Sequence, residues 1–373
     1  MYIADLHCDT IREIWLSEAR GQRKSFRDSS KSGKTMHIDL SKLKKGGYLL
    51  QNFALFTDLN MPADTLKGKG IDLQEMMPGK AMSANSGSSS AAAPVDPWFQ
   101  FTEMVRVFRE EMSANKDAIR QARSWKDIED NRKAGIISAV LTTEEGGILQ
   151  GDLSRLDTLH EAGVRMMTIT WNYENELGFP NRPTRGFETD FRNFFRFKPE
   201  PGRGLTELGK EAVRRMEELG ILPDVSHLSD EGFYDVAATA KGPFVASHSN
   251  ARAVCGCSRN LTDDMIRTIA EHGGVIGLNF CPSFLLEAEK EELCYSSCEA
   301  MSKHVKHIMQ VGGKEVIALG TDFDGIAPHN LEIRDSSEMQ KLADYLLDTG
   351  LSGDEVEGMF YRNVMRLYKD ILC

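Results

Sequence analysis

Metal-ligand residue types recur at the ends of several strand-like runs along this chain. These runs close with His7-Cys8-Asp9, Glu144-Glu145-Gly146-Gly147, Asp224-Val225-Ser226-His227, Ala246-Ser247-His248 and Thr321-Asp322-Phe323-Asp324. One such residue means little, because a strand-end carboxylate commonly caps a helix. Three histidines and several carboxylates at successive strand ends are what a barrel of parallel strands needs to converge on one metal site.

The two residues at the end of the first run have the spacing of a ligand pair. His7 and Asp9 are two residues apart, so on an extended strand their side chains point to the same face and can hold one divalent ion. His227 and His248 each end an apolar run, and neutral imidazole is a natural ligand for zinc-like metals. These four residues are therefore candidate ligands of one metal centre.

Carboxylates and an arginine could complete a hydrolytic site. Glu145 precedes two glycines, which permit a sharp turn, and its two oxygens could bridge two cations about 3.5–4 Å apart. Glu144 is expected to point elsewhere, as a solvated or supporting carboxylate. Asp322 could take a proton from a metal-bound water and pass it to a leaving amine, and Asp324 could do the same. Arg259 could bind a substrate carboxylate, with a surface ion pair as the alternative.

The remaining histidines and the cysteines carry weaker signals. His304 and His307 are spaced as neighbours on a helix and are expected to be surface residues. The seven cysteines are odd in number, which favours a reducing compartment over a disulfide framework. The pairs Cys255 with Cys257 and Cys294 with Cys298 lack the matching partner pair of a structural zinc site.

Short apolar runs separated by helical patterns provide the elements that must position these residues. The predicted strands are 2–6, 48–56, 135–141, 165–170, 221–226, 243–247, 275–280 and 316–320. Helical patterns at 153–162, 206–219 and 262–272 each end at a glycine, and others begin at Ser229 and Ser352. This alternation predicts an α/β fold, a (β/α)8 barrel of the TIM type; a doubly wound open sheet is the structural alternative.

We expect one metallohydrolase barrel domain over residues 1–373, with a low-complexity insertion at about 60–95, although the length alone fits two domains equally well. The chain is 41% hydrophobic and 27% charged, and its net charge of −11 argues against non-specific nucleic-acid binding. No run approaches a membrane span and no signal-peptide pattern is present, so the expected location is the cytoplasm.

Long connections follow the strands near residues 59–95, 172–204 and 281–297. The Ser/Ala-rich stretch at 83–94 is expected to be disordered. The second connection is expected to form a pocket wall from its aromatic and arginine residues, Phe187, Phe191, Phe194, Phe195, Arg182, Arg185 and Arg192.

Taken together, these motifs resemble the membrane (renal) dipeptidase family of two-zinc hydrolases. The resemblance runs through the five strand ends and through Cys257-Ser258-Arg259-Asn260, in the order of that family and over nearly its whole length. It implies two zinc ions, with His7 and Asp9 on one and His227 and His248 on the other. It further implies that Glu145 bridges them, that Asp322 carries the proton, and that Arg259 anchors the dipeptide carboxylate.

One departure from the family concerns substrate binding. Where its better-known members carry a histidine that steadies the scissile carbonyl, this chain has Trp171, followed by Asn172. An indole offers only one donor, so Asn172 or Asn175 takes over or zinc alone stabilises the oxyanion. Trp171, Asn172 and Arg259 are the expected substrate contacts.

The sequence therefore predicts a zinc-dependent dipeptidase in which a metal-bridging hydroxide attacks the peptide bond. The alternatives are a hydrolase of the same fold acting on another amide or a lactone, and a non-catalytic barrel that binds a small ligand. The expected partner is a dipeptide substrate, with no nucleic acid and no membrane, and a homodimer is left open.

Overall fold

Eight short strands, all paired in parallel, form one curled sheet in the computed structural model of the chain, which describes residues 1–32, 35–66, 94–181 and 202–372. The strands are β1 (Ile3–Asp5), β2 (Tyr48–Phe56), β3 (Ile119–Gln121), β4 (Ile137–Glu144), β5 (Val164–Thr168), β6 (Leu222–Asp224), β7 (Ile276–Leu278) and β8 (Ile317–Leu319). The seven aromatic and arginine residues expected in a pocket wall, and the Ser/Ala-rich stretch up to residue 93, lie outside the described residues.

Neighbouring strands follow the order β6-β5-β4-β2-β1-β8-β7, and β3 pairs with β4 outside this path. The predicted strand at 243–247 forms only isolated parallel bridges. Val245 pairs with Asp224 at the end of β6, and Ala246 pairs with Ile276 of β7. This segment therefore lies between the two ends of the sheet path and contacts both.

Two strands differ from the predictions, and the second difference concerns the site. β3 was not expected, because Ile119–Gln121 is too short to form an apolar run. β4 continues three residues beyond the predicted end at Leu141, and all eight of its residues are buried. The extension makes Glu144 the last residue of that strand.

Helices cover the sheet and follow most of its strands. The α-helices are α1 (Thr10–Ala19), α2 (Leu40–Gly46), α3 (Pro97–Ala114), α4 (Trp125–Lys133), α5 (Arg155–Ala162), α6 (Glu207–Leu219), α7 (Asp230–Thr239), α8 (Asp263–Glu271), α9 (Pro282–Leu285), α10 (Cys298–Gly312), α11 (Gln340–Asp348), α12 (Gly353–Glu357) and α13 (Asn363–Ile371). Short 3-10 turns occupy Ser29–Ser32, Ala63–Leu66, Gly146–Leu149, Glu291–Leu293 and Ser336–Glu338, and Gly358–Arg362 is π-helical.

The predicted helix signals act as expected. Thr206 caps α6 by accepting a hydrogen bond from the backbone N–H of Gly209, and the helix ends at Gly220 in the left-handed region, where a side chain would be strained. Ser352 and Glu355 form a reciprocal capping box at the start of α12.

The inside of the curled sheet is filled from the side of the strand amino ends. Inward-facing apolar side chains of the strands form a cluster with residues of α13, among them Leu367 and Tyr368. The Tyr368 hydroxyl is buried and donates to Oδ1 of Asn52 on β2 at 2.9 Å. This packing fills one mouth of the sheet, and the strands end at the other.

In the part of the chain that the structure describes, none of the helices combines the length and the apolar character that crossing a bilayer requires. The cytoplasmic location stays a prediction.

Candidate metal centre

The carboxyl edge of the sheet brings together three histidines and three carboxylates. They are His7, Asp9, Glu144, His227, His248 and Asp322. All six side chains are buried or nearly so. Their elements explain the meeting, because β1, β4, β6, β8 and the 243–247 segment all end at this edge.

Glu144 lies at the centre of this group. One of its carboxylate oxygens is 3.1 Å from Nε2 of His227 and 3.6 Å from Nε2 of His248. The other oxygen is 3.4 Å from Nε2 of His7. A carboxylate that contacts three imidazole nitrogens through both oxygens has the position required of a bridge between two cations.

Glu145 was expected in that position, but the structure places the Glu144 side chain there. Because β4 runs on to Glu144, the inward side of the strand end belongs to that residue. Glu145 has a φ of 92°, which turns its side chain away. Its carboxylate accepts hydrogen bonds from the backbone N–H groups of Gly147 and Trp171 and from the side-chain amide of Asn175. Glu144, expected to be solvated or supporting, is instead buried among the histidines.

A buried aspartate fixes the tautomer of His248. Asp224 accepts hydrogen bonds from the Thr168 and Ser247 hydroxyls and from the backbone N–H groups of Ser226 and Ser247. Because the Ser247 hydroxyl donates to Asp224, its oxygen accepts from Nδ1–H of His248 at 2.7 Å. The Nε2 atom of His248 then carries a lone pair that faces Glu144.

His227 is oriented in the same way by a different partner. Its Nδ1–H donates to Oδ1 of Asn172 at 2.9 Å, which leaves a lone pair on Nε2. That atom is 3.0 Å from Nε2 of His248. Two lone pairs at this distance, beside a carboxylate, repel one another unless a positive charge lies among them.

The pKa shifts follow from burial and from this crowding. Burial lowers the pKa of His227 to about 4 and holds that of His248 well below its ordinary value, so both rings are neutral. Burial opposes ionisation of Glu144, but His7 and His227 hold its pKa well below the usual range. Burial also opposes the charged form of His7, yet Glu144 and Asp9 raise its pKa well above the ordinary value.

The donor set fits a divalent metal. Among the described residues, Nε2 of His7 and Oδ1 of Asp9 are buried and have no hydrogen-bond partner. His7, Glu144 and His248 place ligand atoms within 4.8 Å of one another, and so do His7, Asp9 and Asp322. The neutral imidazoles of His227 and His248 and the carboxylates are donors that zinc takes in hydrolases, and His7 would join them by losing its proton when a metal binds.

The two aspartates after β8 have different environments. Asp322 lies 4.0 Å from Nε2 of His7, accepts a hydrogen bond from the Asn279 amide at 3.0 Å, and has its pKa raised by burial to about 7. Asp324 accepts from the Thr10 hydroxyl and from the backbone N–H of His37. It joins the start of α1 to the segment before α2, so the alternative that Asp324 serves as the proton carrier receives no support from its contacts.

Arg259 lies beside the histidines in a buried position. Its guanidinium donates to the Ser249 hydroxyl and to the His248 carbonyl oxygen, both at 3.3 Å, and packs over the ring of Phe284. Its Nε–H has no hydrogen-bond partner among the described residues. Burial lowers the pKa of Arg259. The surface ion pair considered for this residue is absent from the described residues.

Aromatic rings form a wall of the site beside His227. Trp171 lies with its ring centroid 4.7 Å from that of Phe56, 5.1 Å from Tyr173 and 5.9 Å from His227. Trp171 therefore reaches the site with its ring, whereas Asn172 uses its oxygen to hold His227. The amide of Asn175 is committed to Glu145 and to a backbone carbonyl.

Two predicted features lie outside this cluster. His304 is fully buried, which corrects its expected surface position: Nδ1 accepts from the backbone N–H of Ala251, and Nε2–H donates to the Leu285 carbonyl. His307 pairs with Asp263. The cysteines among the described residues are free thiols.

Sequence reasoning missed the roles of Glu144, Asp224 and Asn279. Each of the three is a polar residue at or near the end of a predicted strand, and that position was the available signal. Nothing in the sequence distinguishes Glu144 from Glu145 without the backbone angle between them.

Comparisons with known proteins identify the family of this chain. A sequence profile of the membrane dipeptidase family, peptidase family M19, matches residues 1–372. A Klebsiella pneumoniae protein described as an uncharacterized protein in the pqqA 5' region is 29% identical over 280 residues, which cover 75% of this chain and 99% of that protein. An uncharacterized dipeptidase of Schizosaccharomyces pombe is 28% identical over 239 residues, 64% of this chain and 54% of its own length.

Solved structures share the fold. A metallo peptidase from Rhodobacter sphaeroides, liganded with a phosphinate mimic of the dipeptide L-Ala-D-Ala, superposes with a TM-score of 0.79 at 24% identity, covering 100% of this chain and 99% of that one. A probable dipeptidase, PvdM, from Pseudomonas aeruginosa gives 0.74 at 19% identity, with 97% and 99% covered.

Proposed function

The chain belongs to the membrane dipeptidase family, peptidase family M19, and is a peptide hydrolase; from this premise we propose that it is a two-zinc enzyme that cleaves dipeptides. The observation that carries the proposal is the Glu144 carboxylate, whose two oxygens contact Nε2 of His7, His227 and His248. His7 and Asp9 would hold one ion, His227 and His248 the other, and Glu144 would bridge them.

The proposal also completes the fold. The 243–247 segment, through its bridges to β6 and β7, would be the sixth member of an eight-membered barrel of the TIM type. Its two bridges are fewer than a regular strand makes, yet they place His248 between the ends of β6 and β7.

When bound, divalent zinc supplies a Lewis acid for the peptide carbonyl and makes a water molecule acidic enough to act as nucleophile. The protein provides the rest. Asp322, with its pKa raised by burial to about 7, would accept the proton of the attacking water and return it to the leaving amine. The hydrogen bond from Asn279 holds the Asp322 carboxylate in place for both transfers.

Substrate binding would use both walls of the site. Arg259 has a buried guanidinium with an unpaired Nε–H, and a dipeptide carboxylate is the anion that this group would bind. Trp171 would pack against the substrate from the side of His227, with Asn172 holding that imidazole in its binding tautomer.

A metal count and a substrate panel test the proposal. Protein purified without chelator should contain close to two divalent ions per chain and should hydrolyse simple dipeptides; removing the ions should abolish turnover, and zinc should restore it. Turnover of lactones or N-acyl amino acids without any dipeptide cleavage would favour the competing hydrolase of the same fold.

The adjacent glutamates provide a matched pair of variants. Glu144→Gln should lower the occupancy of both ions and reduce turnover by at least about 10²-fold, because the bridge serves both sites. Glu145→Gln should keep both ions, since its side chain is bound to backbone and amide donors. If Glu145→Gln loses both ions and Glu144→Gln keeps them, Glu145 is the bridging ligand.

A further inference from the structure

One guanidinium near the site neither holds the proposed metal ions nor belongs to the proposed carboxylate anchor. Arg12 lies in the first turn of α1, three residues after Asp9, and is half-buried. Its Nε–H is buried without a hydrogen-bond partner. The positive charge of Arg12 favours the ionised form of Asp9, although no described carboxylate lies within ion-pair distance of the guanidinium. Arg23, by contrast, pairs with Glu18, Glu110 and Glu111. An unpaired arginine that is half removed from water is costly unless it binds something.

Aromatic contacts place this group at the rim of the site. The Arg12 guanidinium carbon is 4.8 Å from the ring centroid of Phe56, the last residue of β2. Phe56 packs on Trp171, and Trp171 packs on His227. The stacked contact holds the planar fork at a fixed position beside the aromatic wall.

In the proposed barrel, the two arginines near the metal centre would lie on opposite sides of it. In the pairing order, β2 is four places from the 243–247 segment in either direction around the proposed eight-membered barrel. Arg12 rests on the end of β2, whereas Arg259 follows that segment and contacts His248. A dipeptide anchored through its carboxylate at Arg259 would therefore extend its amino-terminal residue across the centre towards Phe56 and Arg12.

We propose that Arg12 binds an acidic side chain on the amino-terminal residue of the substrate, so that the preferred class is dipeptides that begin with glutamate or aspartate. This inference rests on the proposed dipeptidase function and on Arg259 as the carboxylate anchor. The free ammonium group of a dipeptide would be repelled by an unpaired guanidinium, and an acidic side chain on the same residue removes that repulsion.

Two substrates that differ only in having Glu or Gln as the first residue have side chains of the same shape, so their comparison measures the effect of the side-chain charge. The metal-loaded protein is assayed on Glu-Ala, Gln-Ala, Ala-Glu and Ala-Ala. The specificity constant for Glu-Ala should exceed that for Gln-Ala by about 10- to 100-fold, the value of a charge-assisted hydrogen bond. In Arg12→Met, which keeps an apolar stem against Phe56, that ratio should fall to near one, with the loss mainly in KM. Arg20→Met, at the exposed end of the same helix, should preserve the ratio of the parent.

Each other outcome has a distinct meaning. Equal cleavage of Glu-Ala and Gln-Ala by the parent, or an unchanged ratio in Arg12→Met, would overturn the role of Arg12 and leave the dipeptidase function standing. A preference for Ala-Glu would place the acidic side chain on the other residue and contradict the inference. Failure to cleave any of the four would instead contradict the proposed function.

Discussion

Glu144 and Glu145 are neighbours in the chain but have opposite surroundings, because the backbone between them leaves the strand. Glu144 still belongs to β4 and contacts three imidazoles, whereas Glu145 turns back towards the backbone of Gly147 and Trp171. Burial raises the pKa of Glu145 to about 7 even with these donors. Glu145 thus stabilises the loop that carries Trp171 and does not take part in the group of candidate metal ligands.

Asp322 and Asp324 should respond differently when each carboxylate is replaced by a neutral amide, one in turnover and the other in stability. Asp322→Asn should keep the metal content and reduce kcat by about 10²-fold or more, because the amide cannot accept and return a proton. Asp324→Asn should mainly lower the free energy of unfolding, by about 1–3 kcal/mol, since this carboxylate joins the start of α1 to the segment before α2 through Thr10 and His37. Metal analysis, steady-state kinetics and urea unfolding distinguish them. Loss of metal in Asp322→Asn would make that residue a ligand.

Among the elements, the close approach of β7 and the end of β8 to Ser247 controls where His248 lies. A side chain at Gly277 or Gly320 would overlap the carbonyl oxygen of Ser247, the residue before His248. Only glycine lets the three backbones come this close, so the short strands and the irregular 243–247 segment form one packed unit.

We expect Gly277→Ala to destabilise the fold by about 1–3 kcal/mol, the usual effect of overpacking, and to lower metal content by moving His248. Gly353→Ala is the matched control: its added methyl group meets no other atom within 4 Å, at the start of α12. That variant should be as stable as the parent or more stable by up to about 1 kcal/mol. Urea unfolding and zinc analysis measure both effects. Full metal content in Gly277→Ala would show that the histidine does not depend on this packing.

The elements also show what could be predicted from the sequence. Strand β2 has the predicted bounds, and the helices near 206–219 and 352 begin at their predicted caps, because these signals are local. β3 was missed because it has three residues and one buried side chain. In the site, the strand-end histidines were found from their positions alone. The orientation of Glu144 depends on a single backbone angle, and Arg12 lies on a helix, so neither follows from the strand pattern.

For the whole molecule, buried His304 should make stability depend on pH. Burial lowers the pKa of His304 to about 4, below its ordinary value of 6.5. The unfolded chain therefore binds a proton at this histidine more readily than the folded chain does. The contribution of neutral His304 to the free energy of unfolding is fully present above pH 6.5 and is lost as pH falls from 6.5 towards 4. Between pH 7.5 and pH 5.0 this residue should reduce the free energy of unfolding by about 2 kcal/mol.

Urea unfolding of the parent and of His304→Gln at the two pH values tests this expectation. The variant should lose about 2 kcal/mol less than the parent over that interval. His329→Gln, in which an exposed imidazole is replaced, should follow the parent. If the parent and His304→Gln respond equally to pH, the buried imidazole does not contribute to the acid sensitivity of the fold.

Two residues of the proposed site that lie just beyond the strands, His227 and Asp322, have positive φ angles although neither is glycine. Each such residue costs about 1 kcal/mol or more, so the two together lower the free energy of unfolding by about 2 kcal/mol or more. Glycine would remove the strain but also the side chain. In evolutionary terms, a descendant released from selection for hydrolysis would gain thermostability by drifting to glycine at these positions. The presence of non-glycine residues at these strained positions therefore indicates continued selection for the reaction.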